Sequence, residues 1–180
     1  DEKSFTKKLE LYDIEITEPV ITGNLLIGDE KNFEKIKSKI EKGIPSSEAV
    51  EYANKRSLET FNSALWFYNQ NKFKCNETLL NTNAPEKASA IILKEETLDF
   101  CSEDLLYTLN NLSFSLSYKL SADHYKNEKS SITFEDLMKN PLLKDLMIYL
   151  KNVENSREEL KEEKTLGFIT KTRDYLLIDF

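Results

Sequence analysis

His124 is the only histidine in these 180 residues, and it stands beside just two cysteines, Cys75 and Cys101, and four glycines. Metal cages, proton relays and phosphate-cradling loops all draw on residues that are scarce here. The one nucleophile–base pairing the inventory offers joins Cys101 to His124, with Asp123 or Asp99 orienting the imidazole. The spacing predicts a strand over 98–100 and a helix starting just after Cys101, and a thiol at a helix N-terminus has a lowered pKa. Glu103 and Asp104 act the other way, because neighbouring negative charge favours the neutral thiol. No glycine nearby supplies close backbone donors for an oxyanion. The expectation is a structural cysteine and a solvent-facing histidine, with no catalytic residue assigned.

The acids give no sharper signal. Glu95, Glu96 and Asp99 flank a predicted central strand, where a metal-dependent hydrolase holds its carboxylates, yet no histidine completes a ligand set. They read as a solvated strand end. Gly23 and Gly28 match neither a dinucleotide fingerprint nor a P-loop, and Asp29 and Glu30 occupy the place an anion would take at the next helix start. No metal and no cofactor is expected. Cys75 and Cys101 are too few for a paired-cysteine zinc site; they read as two thiols, or as one disulfide in an oxidising compartment.

The aromatic run Trp66, Phe67 and Tyr68, with Phe73 close behind, is the best candidate for a role beyond the core. Aromatic residues without neighbouring glycines seldom line a cofactor site but do anchor protein interfaces. Charge points the same way. The net charge of −7 and pI near 5.0 argue against direct nucleic-acid binding, which needs a clustered positive surface. Only Arg56, Arg157 and Arg173 are arginines. An acidic surface suits a basic protein partner, and self-association is a further option. Abundant Lys, Asn, Ile and Glu with little Arg is the composition an AT-rich genome writes.

The elements that must position these residues read as one α+β domain over 1–180. Alternation over 9–16 predicts a half-buried strand, and 20–27 a second, after Pro19. Asp29 caps a helix through Lys42 that stops at Gly43. Pro45-Ser46-Ser47 opens the clearest helix, to about Asn71, with small residues early and aromatics late. The stretch 75–87 reads as a flexible loop, and 91–93 as a buried strand that 97–100 extends. The segment 102–125 carries two periods, leucines at helical steps and an alternation of apolar residues with serine; a helix over 102–110 and a strand over 112–121 are expected. Thr133 and Asp136 form a capping box. A longer helix follows Pro141, its charged end at 155–164 projecting into solvent, and 166–170 with 175–180 read as a C-terminal β-hairpin. The expected architecture is a mixed, mainly antiparallel sheet on two or three helices.

No apolar run is long enough to span a membrane. The chain starts at Asp1 rather than Met, so secretion stays open, with a cytoplasmic site slightly favoured. Together these readings describe a non-enzymatic acidic protein-binding domain: an inhibitor or immunity-type protein, a host-directed effector, or an assembly subunit. The alternatives are a secreted or surface module with a Cys75–Cys101 disulfide, and a Cys–His enzyme using Cys101 and His124.

Overall fold

The computed structural model describes the backbone of residues 2–23, 28–80, 95–128, 130–155 and 157–177, and the side chains of these except Glu2, 72–80 and 95–102. Every regular element among the described residues is a helix. They are α1 (Glu2–Glu10), α2 (Ile14–Thr22), α3 (Glu30–Lys42), α4 (Ser47–Leu80), α5 (Glu95–Asn127), α6 (Phe134–Leu137), α7 (Pro141–Glu154) and α8 (Glu162–Leu177). The α+β expectation, with its antiparallel sheet and C-terminal hairpin, is therefore corrected to an all-α fold. The predicted strand over 91–93 lies outside the described residues.

Each misread strand has a physical reason. Over 9–16 the apparent alternation is the junction of two helices: α1 ends, Tyr12 takes φ of 53°, and Asp13 caps α2 by accepting from the Glu15 N–H at 3.0 Å. Leu11, Asp13, Ile14 and Thr17 are the buried positions, a pattern without the alternation of a strand. Pro19 sits inside α2, and Gly23 ends it by donating to the Pro19 carbonyl.

The 112–121 strand is part of the unbroken α5. Leu105, Leu109, Leu112 and Leu116 are buried at steps of four, three and four, whereas Phe114, which alternation puts on the same side, is 44% exposed. The serines fit the helix because their hydroxyls fold back: Ser113 donates to the Asn110 carbonyl at 2.7 Å and Ser121 to that of Ser117 at 2.7 Å. Ser115 is fully buried, a small side chain within the core.

The hairpin is α8. Its buried face is Thr165, Phe168, Ile169, Thr172 and Leu176. Two threonines interrupt the apolar stripe, and that interruption makes the helix hard to read. The helix after Pro141 ends at Glu154; the charged stretch expected as its projecting end instead holds a connection and the first turn of α8. Residues 75–80 of the predicted loop are helical, as the end of α4, and 81–87 lie outside the described residues.

The chain forms two compact units. The first is Asp1–Leu58 with Leu116–Lys144, the second Glu59–Ser115 with Asp145–Phe180, so the boundary falls inside α4 and α5. In the first unit, buried side chains come from Leu11, Ile14, Ile40, Ala49, Ala53, Leu116, Tyr118, Ala122 and Tyr125. Gly43 is required there: a Cβ at that position would overlap the Tyr12 hydroxyl and crowd the Lys39 carbonyl.

The second unit draws its core from four helices: Phe61, Ala64 and Tyr68 of α4, Leu105, Leu109 and Leu112 of α5, Leu146, Tyr149 and Leu150 of α7, and the inner face of α8. Tyr149 stacks on Phe168 at 5.7 Å between ring centres. Its hydroxyl accepts from the Lys161 N–H at 2.9 Å and donates to the Glu159 carbonyl at 3.2 Å, tying α7 to the chain entering α8.

Candidate functional site

Helix α4 turns consecutive aromatic residues in different directions, about 100° apart. Tyr68 points inward; it is 6% exposed and its hydroxyl donates to Glu162 Oε1 at 3.1 Å, joining α4 to α8. Burial, and then the carboxylate beside it, push the Tyr68 phenol up to about 12. Trp66 points outward and is 58% exposed. Phe67 lies between, half-buried, with its ring 4.9 Å from Trp66 in a T-shaped contact and 5.2 Å from Tyr107 of α5. Tyr107 is 44% exposed. Its hydroxyl donates to Glu103 Oε1 at 3.1 Å, and its backbone carbonyl accepts from the Asn111 side chain at 2.8 Å. Phe114, two turns further on, faces solvent on the same side of α5.

Of the four aromatic residues singled out in the sequence, Trp66 and Phe67 thus form an accessible face and Tyr68 belongs to the core. The Phe73 side chain lies outside the described residues. Tyr107 completes the face and was missed. The signal for it was Glu103-x-x-x-Tyr107-x-x-x-Asn111, polar partners at helical steps around an aromatic ring, and it lay almost wholly within the helix expected over 102–110.

Beside this face, still within the second unit, runs a groove of about 620 Å³ lined by α5, the end of α7 and the chain that follows it. Leu106, Val153 and Leu160 give it a half-buried apolar floor, and Glu103, Glu154, Glu158 and Glu159 stand around it with Arg157. A second cleft, of about 390 Å³, lies between α7 and α8. Lys164 lines it, with Nζ 4.0 Å over the centre of the Tyr149 ring and 2.6 Å from Glu158 Oε1. That hydrogen bond lowers the Glu158 carboxyl below its ordinary value.

The first unit holds a buried polar cluster that residue spacing alone does not reveal. Asp13 is 1% exposed, and its carboxylate accepts from Tyr52 of α4 at 2.7 Å and Tyr118 of α5 at 2.8 Å. Lys8 Nζ is 3.5 Å away. Arg56 pairs with Glu15 at 3.2 Å and lies 5.3 Å from the centre of the Tyr118 ring. Tyr125 donates to the Tyr12 carbonyl at 3.0 Å. Desolvation, reinforced by Asp13, drives the Tyr52 and Tyr118 phenols far above their ordinary value. With donors and acceptors matched around Asp13, the cluster holds the α1–α2 junction against α4 and α5 within this unit.

The remaining candidates are placed as follows. His124 is in the last turn of α5, half-buried, with Nε2 3.0 Å from Ser130 Oγ. Cys101 lies within α5, and its side chain is outside the described residues. Glu95, Glu96 and Asp99 lie in α5, and the strand over 91–93 that they were expected to flank is outside the described residues. The thiols of Cys75 and Cys101 lie outside the described side chains. Among the described residues, no three His, Cys, Asp or Glu side chains gather as a metal-holding group, and no helix is long and apolar enough to cross a membrane.

No protein-family model, curated protein or solved structure matches this chain. The functional reading rests on its own geometry.

Proposed function

We propose that this chain is a non-enzymatic acidic protein-binding domain that engages its partner through the Trp66–Phe67–Tyr107 face. One observation carries the reading. The only tryptophan of the chain stands more than half exposed, braced by Phe67, with Tyr107 alongside. Leaving that much aromatic surface in water forgoes burial that folding could have used, and rigid exposed aromatics are what binding hot spots are made of. The net charge of −7 favours a basic partner, steered to the surface by its field. An inhibitor or immunity-type protein, a host-directed effector and an assembly subunit all fit this description.

The experiment is a capture from lysate of the source organism and of its natural host or competitor, at low and high salt, with Trp66→Ala bait in parallel. The expected result is one stoichiometric partner that high salt weakens and Trp66→Ala loses, while the variant stays folded. A partner retained equally by Trp66→Ala would remove this face from the account.

A further inference from the structure

We propose that the groove beside the aromatic face receives a lysine- and arginine-rich segment of the partner protein, its cations on the glutamate rim and an apolar side chain on the Leu106–Val153–Leu160 floor. The inference rests on the binding reading above and names the chemistry of the occupant.

Charge complementarity is the first argument. Four glutamates line the groove against one arginine, and Glu154 and Glu159 carry no ion pair among the described residues. Carboxylates at this density repel phosphates, so nucleic acid and anionic lipid are poor occupants. The floor excludes a bare cation, which gains nothing from three aliphatic side chains, and favours a residue that has an apolar body as well as a charge nearby.

The second argument is a precedent inside the same unit. Glu158, which lines this groove, already holds an ammonium: Lys164 Nζ lies 2.6 Å from it and over the Tyr149 ring in the neighbouring cleft. A carboxylate beside an aromatic face therefore captures a lysine here. Glu103 likewise stands beside a tyrosine, here bonded directly to the Tyr107 hydroxyl at 3.1 Å, with no lysine in place among the described residues. The third argument is continuity. Glu103 lines the groove, Tyr107 bonds to it, and Phe67 and Trp66 follow ring to ring. A cationic segment leaving the groove meets exposed aromatic faces, where arginine and lysine bind by cation–π attraction.

The test uses the full chain and a fluorescein-labelled peptide in which lysines and arginines alternate in pairs with leucine, together with its counterpart carrying glutamate at every basic position. Anisotropy titrations compare the unmodified chain, the groove variant Glu154→Gln/Glu159→Gln, and a control, Glu30→Gln/Glu34→Gln, which removes the same charge from the exposed side of α3. The expected result is saturable binding of the basic peptide only, weakened about tenfold by the groove variant and less than about twofold by the control. Equal weakening by both variants, equal binding of the acidic peptide, or no saturable binding would each overturn the proposal. The groove variant also enters the lysate capture beside Trp66→Ala. A partner lost only with Trp66→Ala leaves the binding reading standing and removes the groove; basic-peptide binding confined to the groove, with capture insensitive to Trp66→Ala, does the reverse.

Discussion

Trp66 and Tyr68 are two residues apart on one helix, and opposite outcomes are expected from their truncation. Trp66→Ala removes an exposed ring and should change unfolding free energy by no more than about 1 kcal/mol, while costing the partner complex about 2 kcal/mol or more. Tyr68→Ala empties a core position and should cost about 3 kcal/mol or more of stability; urea midpoints measured side by side separate the two. Asp13 gives a third test at this scale. Its carboxylate is the shared acceptor for one buried phenol, one half-buried phenol and one helix N-terminus, and each stranded group costs about 1–3 kcal/mol. Asp13→Ala should therefore lower stability by roughly 3 kcal/mol, and Tyr118→Phe by about 1 kcal/mol. A loss well under 1 kcal/mol for Asp13→Ala would mean that water replaces the carboxylate and the cluster does not hold the junction. Polarity hid this residue in the sequence: an Asp between Tyr12 and Ile14 reads as an outward-facing strand residue, and only the capping geometry shows why it turns inward.

The helices that were legible are those whose ends are written in side chains. Asp29 accepts from the Lys31 and Asn32 N–H groups, Ser46 from Ala49, Thr133 from Asp136 in a reciprocal box, and Asn140 ahead of Pro141 from Leu143. These starts, and the aliphatic stripe of α7, follow directly from composition and spacing. The later part of α5, 112–121, was illegible because serines at alternate positions imitate a strand, and α8 because Thr165 and Thr172 occupy buried positions where apolar residues are expected. The aromatic run of α4 was legible as a group, but which ring faces solvent depends on helix phase, and so does the exposure of Tyr107 on the helix expected over 102–110. The α6 cap carries its own pH test. Hydrogen bonds from Lys139 and then Thr133 lower the Asp136 carboxyl from 3.8 to about 2. A depressed folded pKa means that the stabilisation is present above the unfolded value and lost as pH falls from about 4 towards 2. Asp136→Asn should cost about 0.5–2 kcal/mol at neutral pH and flatten the acid limb of the stability curve. An unchanged acid limb would show that the cap does not act through its charge.

At the scale of the molecule, the chain carries a net charge of −7, and each of its two helical units holds protonated phenols. Tyr52, Tyr68, Tyr118 and Tyr125 all titrate above the ordinary value of 10, chiefly because burial disfavours the phenolate. Raised folded pKa values mean that the native chain keeps protons the unfolded chain releases, so stability is full below about pH 10 and falls above it. Alkaline unfolding and tyrosinate formation should therefore coincide in one steep transition; phenols titrating gradually in a still-helical chain would contradict the burial assigned to them. The central claim is that the chain leaves one aromatic face open for a partner, and the single tryptophan makes it directly measurable. Acrylamide quenching of Trp66 fluorescence, in the free chain and in the captured complex, is the decisive measurement. An accessible indole in the free chain that becomes shielded on binding is the predicted result. An indole already shielded in the free chain, or equally accessible in both states, would contradict it.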